Sequence, residues 1–474
     1  MCGIAGTTTG NKETVSRMLE ATKHRGPDSQ GMVTVRGVSM GVNRLAILDL
    51  RPEGDQPFKF PSDIFGQKNY LCYNGEVWNW KELREDLKDY YEFETECDTE
   101  VVAAVLTEYG IGGLERLDGM FALFWMDSQS CYLARDRFGK IPLWVNLESG
   151  LFSEGVTWCS ERKGLKEAGL TNSALVPPGS YLDVRSKKLH KWYDLKKNIK
   201  PRSLDLLKSL RSSVEVRLRA DVPVCCLISG GLDSSLILKI AKEINPDIVA
   251  YTAILDESKP DLLSARRLCE ELEVRLIEVP IPYPTVELLK EACLSVESNL
   301  KTQVEIGAVA IPLAKQIRKD GFRVALSGEG ADELFGGYGS MIIPSRKASD
   351  EQWRNTRLKQ LEKMSRGNFL RCSNAFLAHG VECRLPYLSR ELVEYVLSLG
   401  KAECPPGKGL LKEIAKGVIP EWVIKREKDT FQGGVGMIDA AERVLTSPKK
   451  FYSNWIADAY GKEGKLWAGT ITES

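Results

Sequence analysis

The sequence predicts two α/β parts in tandem, the second built on a parallel sheet. Three observations carry this. Short alternating apolar runs fill roughly the first 190 positions, strand-like runs alternating with longer helical segments follow, and a polar, charged stretch, "YDLKKNIKPRS", lies between them.

In the first half, "MGVNRLAILDL", "NYLCYNGEVWNW", "MFALFWMD" and "CYLARD" are punctuated by turn residues and read as strands. Helices are few: Asn11 to His24, "WNWKELREDLKDY" and Thr99 to Tyr109 have the spacing. The charged stretch with its proline reads as a linker. Beyond it, "VPVCCLI", "DIVAYTAI", "RLIEVPI" and "RVALS" read as strands separated by segments such as "SSLILKIAKEI", which is the βαβ pattern. From about Arg346 the chain reads as mostly helical. There is no internal repeat and no low-complexity tract.

The chain has 474 residues, with 65 basic and 65 acidic side chains and no net charge. That balance lacks the electrostatic footprint of a nucleic-acid or membrane partner. No apolar run approaches the length of a membrane span, and no signal peptide opens the chain, so a cytoplasmic location is expected. The twelve cysteines should then stay reduced, mostly as small buried hydrophobes, and no Cys-x-x-Cys pair suggests zinc. Three histidines (His24, His190, His379) leave almost no material for a three-His metal site or a His-based triad.

A general base must then come from elsewhere, and the start of the chain, "MCGIAG", supplies one. Removal of Met1 gives Cys2 a free α-amino group, whose pKa of about 8 lets it take the thiol proton. "YNGEVWN" adds Asn74 and Gly75, an amide and a backbone N–H suited to an oxyanion hole. Arg44 in "NRLAILDL" can grip a carboxylate and Asp98 in "ECDTE" an ammonium, together the ends of an amino acid. Taken singly, Arg44 reads as a surface charge and Asn74-Gly75 as a hairpin turn.

"CGIAG", "RGPD", "NGE" and "ARDRFG…PL" occur in order, and over roughly residues 2 to 190 they resemble the class II glutamine amidotransferase domain, an N-terminal-nucleophile hydrolase. The resemblance implies a four-layer αββα sandwich. It implies that Cys2 attacks the glutamine side-chain amide, releasing ammonia and leaving a glutamyl thioester for hydrolysis. Asn74 and Gly75 would be catalytic, and Arg44, Leu50, Asn74, Glu76 and Asp98 would hold glutamine. "FSEGVTWCSERKGL" departs from the family's tighter Phe-Ser-Ser-Glu-x-Lys-Ala-Leu, which predicts a local insertion without effect on the chemistry.

In the second half, "LISGGLDSS" follows an apolar strand and opens a helix. Gly230 and Gly231 allow close backbone approach, successive N–H groups and the helix N-terminus favour phosphate, and Ser229, Ser234 and Ser235 add donors. There is no Walker lysine and no GxGxxG. Asp233 within such a loop calls for a cation between itself and phosphate, pointing to magnesium. "VALSGEGADELFGGY" is a second such turn, with Asp332 as the second magnesium ligand, and the two should lie side by side at the carboxyl edge of the sheet.

With "DESKPDLLSAR", "HGVECRLPYLSR" and "VIKREKDTFQGGVG", these turns resemble the ATP pyrophosphatase domain of the glutamine-dependent asparagine synthetase family. The implied domains are 2–197 (glutaminase) and 203–474 (synthetase, a doubly wound parallel sheet with a helical tail). By that likeness Leu227, Ser229, Gly230, Gly231, Asp233, Ser234, Ser235, Ile254, Ser327 and Gly328 would bind ATP. Asp233 and Asp332 would hold Mg2+, and Glu329 and Lys428 would be catalytic. The substrates would be glutamine, aspartate and ATP, by way of a β-aspartyl adenylate. Ammonia would travel an enclosed path, and the assembly would be a homodimer. Where bacterial members read Thr-Thr-Ile-Arg, this chain reads Thr302-Gln303-Val304-Glu305, which leaves a different carboxylate, on a peptide or a sugar acid, open as the acceptor.

Overall fold

The computed structural model describes residues 1–62, 66–147, 155–200, 203–426, 436–461, 463 and 471–473. They form two compact units, Met1–Asp194 with Asn454–Ser474, and Leu195–Ser453.

The first unit contains, in chain order, β1 (Gly3–Thr7), α1 (Lys12–Ala21), β2 (Ser29–Val35), β3 (Val38–Arg44), β4 (Phe58–Pro61), β5 (Lys68–Val77) and α2 (Asp98–Tyr109). It continues with β6 (Gly119–Met126), β7 (Cys131–Arg135), β8 (Trp144–Leu147), β9 (Val156–Cys159), β10 (Ala174–Leu175), β11 (Ser180–Asp183) and β12 (Lys188–Lys191). One sheet runs β10-β8-β9-β1-β3-β2, all antiparallel. The other runs β12-β11-β7-β6-β5-β4, with Ile471–Glu473 added parallel beside β12. Helix α1 covers the first sheet and α2 the second, so the layers are αββα.

The reasons are local and then tertiary. Asn11 caps α1 by accepting from Thr14 N, and Val15, Met18 and Leu19 bury one face at helical spacing. Helix α2 is apolar nearly all round, Val101 to Leu106 being fully buried, as a helix under a sheet must be. Between the sheets, Phe124 of β6 stacks on Trp158 of β9 with ring centroids 4.4 Å apart. Trp158 in turn dictates Gly6: a Cβ there would sit 2.1 Å from the indole. The small residues behind Cys2 therefore let β1 lie flat under an aromatic ring.

The second unit is a five-stranded parallel sheet: β13 (Val224–Leu227), β14 (Val249–Ile254), β15 (Leu276–Pro280), β16 (Val324–Leu326) and β17 (Glu382–Arg384), in the order β15-β14-β13-β16-β17. Helices α3 (Leu232–Ile244), α4 (Pro260–Glu271), α5 (Lys301–Lys319), α6 (Ala331–Phe335) and α7 (Asn368–Leu377) are the ones that matter to the site. The chain builds outward from β13 to β15, then returns to the other side of β13 with β16, a doubly wound order whose reversal opens a crevice at the strand carboxyl ends. The region after Arg346 is largely helical as read, but β17 lies within it; three residues are too short to show a period, and pairing with β16 makes them a strand. The linker reading also missed a helical turn at Leu195–Asn198.

Among the described residues no helix is long and apolar enough to cross a membrane. All twelve cysteines are free and buried.

Candidate active sites

The first unit places Cys2 just ahead of β1, beside β5. Cys2 N donates to Asn74 Oδ1 at 2.9 Å, and Arg25 Nε donates to the Cys2 carbonyl at 3.1 Å. Asn74 Nδ2 faces Ser160 Oγ, which also accepts from Ile4 N. Behind Arg25 lies a fully buried carboxylate, Glu161, 2.7 Å from Arg25, 2.8 Å from Lys163 and 3.1 Å from His24. Burial pushes the Glu161 carboxyl up, but Lys163, His24 and Arg25 outweigh it and hold it well below the usual carboxylate range. Ser160 and Glu161 belong to the segment that departs from the family pattern, and they connect to the Cys2 backbone through Asn74 and Arg25.

A cavity of about 320 Å³ opens over the thiol, lined by Cys2, Arg44, Gly75, Glu76 and Asp98, among others. Asp98 begins α2, and its Oδ2 accepts from Tyr73 Oη and Val77 N of β5, at 2.9 and 2.8 Å. Arg44 is buried and laced to the following loop: Nη1 pairs with Asp55 at 2.9 Å and donates to Arg51 O, and Nη2 donates to Asp49 O. Asn74 is fully buried and reaches the site through Cys2 N. Leu50 is 51% exposed and lies outside this lining. One residue went unread: Gln56, whose Oε1 accepts from Tyr73 N at 2.7 Å, which fixes the amide so that Nε2 points at Cys2 Sγ, 3.9 Å away.

The second unit brings its two turns together at the carboxyl edge of the sheet. A Cβ on Gly328 would fall 2.9 Å from Ser234 N and 3.1 Å from Asp233 Cβ, so the turn after β16 touches the start of α3 only because residue 328 is glycine. A cleft of about 980 Å³ is lined by Leu227, Ser229, Gly231, Asp233, Ser234, Ser327, Gly328, Glu329 and Asp332, with Ile228, Tyr251, Thr252 and Ala253 beside them. Gly230, Ser235 and Ile254 are not on that lining. Gly230, at φ +70°, turns its carbonyl to Arg426; Ser235 is buried inside α3; Ala253 occupies the lining in place of Ile254. Lys428 lies outside the described residues.

Three features here had no sequence signal. Lys408 Nζ sits 2.5 Å from Asp233 Oδ2 and 2.7 Å from Asp332 Oδ1, one ammonium bridging both expected magnesium ligands. Glu329 is held in a closed ring: Asn368 Nδ2 donates to its Oε1 (2.9 Å) and Arg371 Nη2 to its Oε2 (2.6 Å). Gln303 joins the other ends, donating to Asn368 Oδ1 and accepting from Arg371 Nε. Glu333, four residues on, also accepts from Asn368 and from Tyr338 Oη; burial, then the charge of Glu329, push its carboxyl up to about 7. Glu305 is off the cleft lining, fully buried and 3.2 Å from Lys301.

This is the architecture of a two-part α/β enzyme, with one candidate site around a thiol and another around paired glycine-rich turns. Comparison with known proteins agrees. The family description "glutamine amidotransferase domain" matches residues 1–192, and "asparagine synthase" matches residues 205–359 and 344–451. The chain belongs to the asparagine synthase family. It is similar to the glutamine-hydrolysing asparagine synthetase of Asparagus officinalis, 29% identical over 473 residues, covering 92% of this chain and 78% of that one. Asparagine synthetase B of Escherichia coli K12 is also 29% identical, over 475 residues, covering 92% and 83%. Asparagine synthetase 3 of Arabidopsis thaliana is 28% identical, covering 92% and 79%.

Proposed function

We propose that this chain makes asparagine from aspartate, using ATP and nitrogen taken from glutamine. The observation that carries the reading is the pairing, on one chain of this family, of the Cys2–Gly75–Asp98 cavity with the Asp233–Asp332 cleft.

In the first unit, removal of Met1 turns Cys2 N into an amine already within hydrogen-bond reach of Asn74. That amine takes the thiol proton, and the thiolate attacks the glutamine side-chain carbonyl. The oxyanion falls to Asn74 Nδ2 and Gly75 N–H. The proton returns to the departing nitrogen, ammonia leaves, and water hydrolyses the thioester to glutamate. Arg44 and Asp98 serve the α-carboxylate and α-ammonium. Both are buried and tied to backbone, so their positions are set before substrate arrives.

In the second unit, the aspartate β-carboxylate displaces pyrophosphate at the α-phosphorus of ATP, giving β-aspartyl-AMP. Ammonia attacks the acyl carbon, and AMP leaves with the acyl bond broken. Asp233 and Asp332 suit magnesium: they are hard oxygen donors that already converge on one cation, and Mg2+ takes one or two carboxylates alongside phosphates. These two would hold it, and it would neutralise phosphate charge. Lys408 adds a second positive charge at the same point. Glu329, fixed by its ring, stands next to the Gly328 turn, placed to receive the proton that ammonia sheds on attack.

The purified protein, given glutamine, aspartate, ATP and Mg2+, should yield asparagine, glutamate, AMP and pyrophosphate in equal amounts by mass spectrometry. Pyrophosphate without asparagine, or ADP in place of AMP, refutes the reading.

A further inference from the structure

The buried cysteines differ in what they face. Cys72, Cys225 and Cys226 are sealed in the core, where burial pushes each thiol up. Cys2 and Cys97 line the cavity of the first unit. Cys372, on α7, is the one cysteine on the lining of the second unit's cleft, and its Sγ donates to Glu329 Oε2 at 3.7 Å. Neither nitrogen transfer nor adenylation uses that thiol.

A second thiol stands directly behind it. After α7, Gly380 takes φ +63° and Val381 N donates back to Phe376 O at 3.2 Å, so the chain doubles straight into β17. Counted away from that bond, the helix from Phe376 back to Cys372 covers about 6 Å, and the extended chain from Val381 on to Cys383 covers about 7 Å. The two cysteines therefore come level, on elements that pack together. Arg384 Nε donates to Glu382 Oε1 at 2.6 Å on one face of β17, which leaves Cys383 on the other. There its side chain and that of Cys372 are hydrogen-bonded to each other.

Their surroundings assign the roles. Cys383 is off the cleft lining, so a solute meets Cys372 first. The hydrogen bond to Cys372, ahead of burial, holds the Cys383 thiol up, while the charge of Arg371 works the other way. Oxidation of Cys372 removes the first of these causes and frees Cys383 to react.

We propose that Cys372 and Cys383 form a reversible oxidation site on the cleft wall, Cys372 reacting with a peroxide and Cys383 closing a disulfide. The Cys372 sulfur attacks one peroxide oxygen, the O–O bond breaks, and the leaving oxygen takes the thiol proton, giving sulfenic acid and, from hydrogen peroxide, water. The Cys383 sulfur then attacks Cys372 Sγ, the S–O bond breaks, and the departing hydroxide leaves as water with the Cys383 proton. Two electrons pass from two thiols to one peroxide, and a dithiol reductant reverses the step by exchange. The disulfide takes the Cys372 donor from Glu329 and draws on the backbone beside Arg371, whose Nη2 holds the same carboxylate oxygen. A displacement of about 1 Å at such a site costs about a hundredfold in rate, so oxidation switches the cleft off.

The test treats the full chain with hydrogen peroxide, maps its peptides by mass spectrometry without reductant, and measures pyrophosphate release with aspartate, ATP, Mg2+ and ammonia, so that Cys2 plays no part. The effect on activity rests on the reading of this cleft as the adenylating site; the peptide map does not. The oxidised wild type should show a Cys372–Cys383 peptide lighter by two hydrogens, a rate lower by about tenfold or more, and recovery of both with dithiothreitol. Cys383→Ala should keep the untreated rate, form no linked peptide, and carry Cys372 on to sulfinic acid, with a loss that dithiothreitol does not reverse. An oxidised wild type without the linked peptide overturns the proposal, with no variant needed. So does a linked enzyme that keeps its rate, or a Cys383→Ala that recovers as fully as the wild type. If the untreated chain releases no pyrophosphate, the reading of the cleft fails and the linked peptide alone decides whether the pair is a redox site.

Discussion

Lys408 offers the sharpest test of the nucleotide site. Its ammonium holds Asp233 and Asp332 together, and the three side chains are 5%, 13% and 16% exposed. The two carboxylate oxygens therefore lie within about 5 Å, and at an effective dielectric of about 20 that separation costs about 3 kcal/mol of repulsion once the ammonium is gone. Breaking a buried pair by removing one partner generally costs about 3–5 kcal/mol, which agrees. Lys408→Met keeps the side-chain length, and the left-handed backbone at φ +64° burdens both residues alike. At about 2–4 °C per kcal/mol, the variant should melt about 6–12 °C below the wild type without divalent cations. Magnesium should then narrow the gap, because a cation bound only by the folded state restores the missing charge by mass action. The assay is a thermal melt with and without MgCl2, followed by pyrophosphate release. A variant that melts with the wild type, or gains no more from magnesium than the wild type does, refutes the idea that these aspartates form one cation site.

Three further outcomes are expected. Cys2→Ala should abolish glutamine-driven synthesis and leave ammonia-driven synthesis intact; equal loss of both rates would reject the division of labour. Gln56→Leu should move the pH profile of Cys2 alkylation by iodoacetamide upward and lower kcat/KM for glutamine about tenfold, since a donor to the thiolate is worth about 1.5–3 kcal/mol at most; superimposable profiles would remove Gln56 from the chemistry. Glu161→Gln should cost about 3 kcal/mol at pH 7 by urea denaturation, because it strands buried cations. The folded Glu161 carboxyl sits below its ordinary 4.5, so its contribution is present above that pH and fades as pH falls through the folded value. The gap between wild type and variant should therefore close below about pH 4.5, and a gap unchanged at pH 3 would contradict the ion-pair account.

The residues legible in the sequence share a property: each sits in a short run whose chemistry is local. A cysteine behind the initiator, an Asn-Gly on a strand, and two glycine-rich turns loaded with acids each announce themselves within about ten residues. Cys2, Asn74 and Asp98 do come together, and so do Asp233, Gly328 and Asp332. Leu50, Gly230, Ser235 and Ile254 came from the same runs yet lie off the linings, because successive residues on a strand, turn or helix face different ways. The residues missed are ordinary ones made special by distance. Lys408 meets Asp233 across 175 positions, Arg371 meets Gln303 across 68, and Gln56 meets Cys2 across 54.

The sequence by itself determined the two-part α/β plan, the cysteine behind Met1, and the two glycine-rich turns that open helices, since backbone freedom at glycine and helix-start dipoles are properties of neighbouring residues. Only the tertiary structure decided which cations face those sites and which carboxylates they steady. Strand order sets those pairings, and a buried charge takes whatever opposite charge the packed elements bring within about 3 Å of it.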